Sequence, residues 1–255
     1  MKKLLIFLLN FLNKFLKFFN LMIIKQSVST NRVNISKFVL NGSEREWRQY
    51  AMYCCIFNEI RDIPGDILEF GVAGGTSITC FGKLNKIFND NRSHRLSKKI
   101  VHGFDTFEGL PYFDKEKDTP KKVIKDMSVG GFNSNEEYDK LKKITKQIGN
   151  IKLYKGTFEH TLPKFLKEHN HMSFSLIHID CDLHKSTVAA LKDTIYLLNV
   201  GGVILFDEIF HENFPGETSG FWEVYNNLIK KNKNLTLEFK RVHSMPWKWY
   251  AVRTR

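Results

Sequence analysis

Between residues 64 and 208 the chain alternates between two hydrophobic periods. Short apolar runs are separated by stretches in which apolar residues recur every three or four positions, the pattern of strands alternating with helices. The runs at 65–70 (GDILEF), 99–105 (KIVHGFD), 151–155, 174–179 and 203–206 predict five strands. Helical spacing predicts helices over 43–63, where Pro64-Gly65 stops it, and over 76–88, 134–148, about 157–169 and 221–230. The chain closes with LTLEFKRVH and WKWYAV around a Ser244-Met245-Pro246 turn, which predict two paired antiparallel strands.

The stretch 176–208, LIHIDCDLHKSTVAALKDTIYLLNVGGVILFDE, organises the rest. One apolar run ends in Asp180, a helical pattern follows, Gly201-Gly202 breaks it, and a second run ends in Asp207-Glu208. The crossover is too long for a hairpin, so the two strands lie parallel and their carboxyl ends share one edge. Neighbouring strands stand about 4.8 Å apart, which would bring Asp180, Asp207 and Glu208 onto one small volume, where a hard cation could take oxygens from all three. Asp182 is the alternative to Asp180 if the strand ends later. Open α/β sheets bind ligands at that edge.

At 255 residues and 42% hydrophobic composition, one sizeable α/β core is affordable and two full domains are not. The expected layout is an amphipathic helix over 1–25, a polar linker over 26–42 and a catalytic-size domain over 43–255, with a lid or cap over 112–148. In residues 1–25 the polar positions Asn10, Asn13, Lys14, Lys17 and Asn20 fall on one narrow helical stripe, the rest being Leu, Phe and Ile. Two mid-segment lysines argue against a spanning helix, and no small-residue cleavage site is clear. A helix lying on a membrane interface is expected, with packing on a partner or on the protein's own core as the alternative.

The net charge of +12 includes five lysines of that opening segment, Lys2, Lys3, Lys14, Lys17 and Lys25. No basic run in the body is interleaved with aromatics, so nucleic acid is not an expected partner. Cys54, Cys55, Cys80 and Cys181 form no CxxC pair, which argues against structural zinc or disulfides and for a reducing, cytoplasmic setting, with membrane association through the first helix. A homo-oligomer is compatible with the sequence.

Two motifs precede the acid pair. EFGVAGGTS, residues 69–77, joins a strand to a helix, where glycines let a ligand approach the backbone and the helix start favours an electronegative group. It lacks the GxGxxG order, which counts against a nicotinamide-dependent oxidoreductase. Asp105, in HGFDTFEGLP, ends the second strand, where α/β nucleotide binders commonly place an acid that accepts both ribose hydroxyls.

EFGVAGGTS, HGFDTFEGLP, GTFEHTLP, HIDCDLHKST and GGVILFDE, in this order, resemble the macrocin O-methyltransferase family of S-adenosylmethionine-dependent, Rossmann-like enzymes. The resemblance covers about residues 64–208. It implies an α/β fold with a seven-stranded, mostly parallel sheet ending in an antiparallel hairpin, flanked by N-terminal helices. It further implies that Glu69, Gly71, Gly74 and Ser77 hold the methionine part of S-adenosyl-L-methionine, that Asp105 holds the ribose, and that Phe158 and Glu159 border the adenine. Asp180, Asp207 and Glu208 would ligate a divalent cation, most naturally Mg2+, which would orient and acidify one hydroxyl of a vicinal diol on a small-molecule or glycan acceptor. Relatives often carry two acids at the last two positions, and the Asp-Glu pair keeps the charge with a different reach.

A general base completes such a site, and His211, on the loop after the metal acids, is the first candidate, with His184 second. The competing reading from another class is a membrane-attached scaffold with this fold and no catalysis, against which the intact acids argue.

Overall fold

A computed structural model of the protein describes residues 44–90, 98–229, 235–245 and 248–255. The expected helix over 1–25 and linker over 26–42 lie outside the described residues. The chain divides into two units. Of the first, Met1–Met52 with His243–Met245, the described part is the start of helix α1 (Glu44–Ile60) and residues 243–245, where Ser244 Oγ donates to the Arg48 carbonyl at 3.3 Å. The second unit, Tyr53–Val242 with Pro246–Arg255, carries the sheet and the site.

Its strands are β1 (Asp66–Phe70), β2 (Val101–Asp105), β3 (Ile151–Lys155), β4 (Phe174–Ile179), β5 (Leu198–Phe206), β6 (Leu237–Arg241) and β7 (Trp249–Arg253). They form one seven-stranded sheet in the order β3-β2-β1-β4-β5-β7-β6. The first five are parallel, and β7 runs antiparallel to both β5 and β6. The interleaved helices are α2 (Thr76–Asp90), α3 (Asn135–Ile148), α4 (Phe158–Glu168), α5 (His184–Thr194) and α6 (Pro215–Val224). This is the Rossmann-like α/β architecture expected from the sequence.

Every residue of β4 is buried, as a central parallel strand covered on both faces requires. Side chains alternate along each strand. Leu68 and Phe70, Ile177 and Ile179, and Ile204 and Phe206 face one way and join Phe158, Leu162 and Phe165 of α4 and Phe221 of α6 in the main core. Glu69 and His178 therefore face the other way, toward Tyr53 and Phe81, whose rings stand 6.2 and 5.3 Å from the His178 ring.

Two boundaries differ from expectation. The strand expected at 203–206 begins at Leu198 and runs through Gly201-Gly202, because a register shift against β4 absorbs the glycine pair and Gly201 takes φ +83°. The helix expected from 221 begins at Pro215, whose fixed φ and missing N–H suit a first helical turn. It continues into a π turn, Tyr225–Ile229.

Candidate active site

From β1 the chain winds through β2 and β3 to one edge, and from β4 through β5 toward the other. The two directions part between β1 and β4, where the strand ends splay and a ligand crevice forms. A cleft of about 260 Å3 opens there, lined among others by Gly71, Ala73, Asp105, Phe158, Asp180, Asp182, Asp207 and Glu208.

The turn after β1 is held by its neighbours. The Gly71 amide donates to the Phe104 carbonyl at 3.0 Å, and Gly71 sits at φ +91°. A Cβ there would stand 1.6 Å from the Asp180 carbonyl oxygen, so glycine is what lets the turn pass the end of β4. Asp105 Oδ2 accepts the amides of Val72 and Ala73 at 2.6 and 2.8 Å, and Oδ1 accepts that of Phe107 at 2.6 Å. A carboxylate has about four acceptor positions, so three are occupied by backbone and about one is left. Asp105, expected at the ribose hydroxyls, lines the cleft and also clamps the turn.

Glu69 and Ser77, expected at the methionine part, meet beneath this turn. Glu69 is fully buried and accepts Ser77 Oγ at 2.5 Å through Oε1, and neither side chain lines the cleft. Oε2 lies 3.8 Å from His178 Nδ1. Burial raises the Glu69 pKa, against the pull of His178 and Ser77. Glu69 is a buried strut beneath the glycine turn, because period-two alternation aims it at α2 rather than at the edge. Gly74 is likewise off the cleft wall, whereas Phe158 packs edge-on against Phe70 at 5.1 Å and presents its rim to the cleft. Glu159, in the first turn of α4, lies 3.5 Å from Lys185 Nζ.

At the other side of the cleft Asp180 and Asp207 follow adjacent strand ends, with the Asp207 amide donating to the Ile179 carbonyl at 2.9 Å. Ligating atoms of His178, Asp180 and Asp207 all lie within 4.8 Å of one another. Asp182, at φ +57°, and Glu208 complete the wall. Burial, then Asp207 and Asp182, push Asp180 well above the usual carboxylate range. Burial and then Asp207 push Asp182 up to about 7 and Glu208 up to about 8. Asp207 goes the other way: burial, the largest single influence, opposes its charge, but the Lys248 ammonium, His178 and the Glu208 side chain together outweigh it and lower the pKa.

Lys248 and Glu217 were not read from the sequence. Lys248 Nζ donates to Asp207 Oδ1 and, at 3.1 Å, to the Asp207 carbonyl. Glu217, in the first turn of α6, is fully buried; Oε1 accepts the Glu208 amide at 3.0 Å and Oε2 has no hydrogen-bond partner among the described residues. A lysine between two tryptophans was the signal for the first. His178 was legible too, since it shares its strand face with Asp180 two residues on.

Residues 106–134 form an arch that lends Leu110, Tyr112 and Phe132 to the cleft wall, and Leu110, Met127 and Leu183 form a small core with Tyr112 and Phe214 beside it. Asp118 is fully buried and ties this arch down, Oδ1 accepting the His184 amide at 2.7 Å and Oδ2 the Asp114 amide at 2.9 Å. Neither candidate histidine lines the cleft. His184 pairs with Ser219 Oγ at 2.8 Å through Nδ1, and its Nε2 lies 3.0 Å from Glu223 and 2.8 Å from Lys117 Nζ. His211 Nδ1 accepts the Asn213 amide at 3.2 Å and is 4.0 Å from Glu208. His184 is thus consumed in anchoring the arch, and His211 is turned along its own loop.

Among solved structures, the chain resembles CalS11, a calicheamicin methyltransferase, with a TM-score of 0.70 at 21% identity over 86% of this chain and 82% of that one. The apo form of CalS11, described as a TDP-rhamnose 3'-O-methyltransferase, gives 0.63 at 21% identity over 86% and 83%. The O-methyltransferase NovP gives 0.57 at 20% identity over 84% and 81%. No protein of curated function matches the sequence. The model of the macrocin O-methyltransferase (TylF) family matches residues 47–242, well over half of the chain and all of the strands from β1 to β6. The chain therefore belongs to the macrocin O-methyltransferase family and is an S-adenosylmethionine-dependent O-methyltransferase.

Proposed function

We propose that the enzyme methylates one hydroxyl of a vicinal diol on a sugar or glycoconjugate, with a divalent cation, Mg2+ by its oxygen donors, held by Asp180, Asp207 and Glu208. The carrying observation is the convergence of Asp180 and Asp207 beside the Gly71 turn, in one cleft. The sugar class is supported by CalS11, which is described as acting on TDP-rhamnose.

The residues present fit both groups. Gly71, the remaining acceptor position of Asp105 and the Phe158 rim offer an open backbone, a ribose partner and an apolar wall to the donor. Asp180, Asp182, Asp207 and Glu208 are forced together against their mutual repulsion, and hard oxygen donors of this kind suit Mg2+ over zinc. Asp180 and Asp207 belong to either ligand set; Glu208 is preferred to His178 as third because it borders the cleft while His178 is fully buried.

S-adenosylmethionine supplies a sulfonium-bound methyl group, and the cation lowers the proton affinity of the hydroxyl it binds. The chain's own part is to align that hydroxyl and take its proton. The proton can pass to Asp182, which lines the cleft, or to His211, whose Nδ1 stands 4.0 Å from Glu208, with His184 as the further candidate. The arch over 106–134 and Phe214 exclude water from the cleft.

Purified enzyme is incubated with methyl-labelled donor and a panel of sugars, nucleotide sugars and catechols, and products are read by mass spectrometry. Asp207→Ala is expected to abolish turnover and leave donor binding intact; full activity of this variant, or of wild type in chelator, would overturn the cation role. We also assign residues 1–25 to a membrane interface, on their amphipathic pattern. Among the described residues no helix is long and apolar enough to cross a membrane.

A further inference from the structure

Four carboxyls, those of Asp180, Asp182, Asp207 and Glu208, line the cleft, Glu217 stands behind them with Oε1 on the Glu208 amide, and Lys248 brings an ammonium to Asp207. Lys248 is only 5% exposed. It directly precedes β7, whose first residue, Trp249, pairs with Phe206 directly before Asp207. The antiparallel register thus sets Lys248 opposite the metal acids. Its Nζ donates to the side chain and to the backbone carbonyl of the same aspartate and stands 3.9 Å from Glu208 Oε1.

We propose that Lys248 is a positioning residue of the cation site: an internal counter-ion that fixes the Asp207 carboxylate and limits how tightly the acids hold a divalent cation. The inference rests on the cation reading given above. A lysine anchored on two oxygens of one residue stays in place when a cation arrives, because only one of those oxygens is a carboxylate donor. The ammonium and the cation then share Asp207 and repel one another at close range.

Removing the charge has two opposed effects. The carboxylate loses one ordering hydrogen bond, a modest net contribution, while a repulsion between a single and a double positive charge disappears from a partly dehydrated site. The second is the larger, so a neutral residue at 248 tightens cation binding.

Mn2+ binding to the full-length protein is measured by electron paramagnetic resonance at pH 8, beside calorimetry with S-adenosylhomocysteine. Lys248→Met is expected to bind Mn2+ at least about tenfold more tightly than wild type, and Lys248→Arg within about threefold of it, since Coulomb repulsion follows charge and not shape. Donor-product binding should be unchanged in both. If Lys248→Met loses that binding, Lys248→Gln, which still donates to Asp207 without charge, takes its place. Wild-type affinity or weaker in the neutral variant overturns the inference and leaves the cation reading standing; no Mn2+ bound by any of the proteins overturns both.

Discussion

Gly71 passes so close to Asp180 that a single added methyl would overlap the Asp180 carbonyl, 1.6 Å from its oxygen. The glycine turn and Asp180, the first acid of the proposed cation site, are thus one packed unit across the β1–β4 boundary. Gly71→Ala should damage both. The left-handed backbone costs about 1–2 kcal/mol for a residue with a Cβ, and the overlap adds about 1–3 kcal/mol of overpacking. The expected outcome is a lower Tm with loss of both donor and Mn2+ binding, read by calorimetry. Loss of donor binding alone would show that the two halves are independent.

The acid cluster makes stability fall as pH rises when no cation is supplied. Glu208 and Asp182 ionise at 4.5 and 3.8 in the unfolded chain but at about 8 and about 7 in the folded one. A raised carboxyl pKa means that the folded state binds the proton more tightly, so its contribution is full below the unfolded value and is lost on the way up to the folded one. Asp207, lowered, has the opposite sign, but its window lies below 3.8. In chelator, Tm should therefore be lower at pH 8 than at pH 5.5, and Mg2+ should restore it at pH 8. A flat profile would count against the burial of these charges.

The arch of residues 106–134, which walls one side of the cleft, hangs on Asp118. Asp118→Ala leaves the amides of Asp114 and His184 without their acceptor, at about 1–3 kcal/mol for each buried group that stays unsatisfied. Limited proteolysis should then cut within residues 112–133 far faster than in wild type, with acceptor KM raised and donor affinity kept. An unchanged cleavage pattern would show that the small core around Leu110 and Met127 suffices.

Deleting residues 1–25 should release the protein from anionic vesicles and leave turnover of a soluble acceptor untouched. Equal sedimentation of the full-length and truncated proteins would assign that segment to something other than lipid.

Much of this site is legible along the chain because it depends on short-range pattern. The runs ending in Asp105, Asp180 and Asp207 read as strands, and the crossover between 180 and 207 dictates a parallel pair whose ends share an edge. Alternation puts Glu69 and Gly71 on the same side of β1, and which of them borders the cleft depends on the left-handed turn that follows the strand. The helix from Pro215 was hidden in a stretch rich in Gly, Ser and Pro, where the only signal was the proline itself.

The sequence by itself determined the order of strands and helices, the parallel core, and the acids and glycines that meet at its edge. Periodicity and connection length act over a few tens of residues and leave little choice. Tertiary structure alone decided which charges offset those acids and which groups stay off the cleft. Lys248 reaches Asp207 from 41 residues away through an antiparallel register, and Glu217 is carried inward by a helix packed from above. His184 is taken up by Lys117 and Glu223, far from it in the chain. Local propensity does not encode such partners, because they are fixed only when distant elements bury each other.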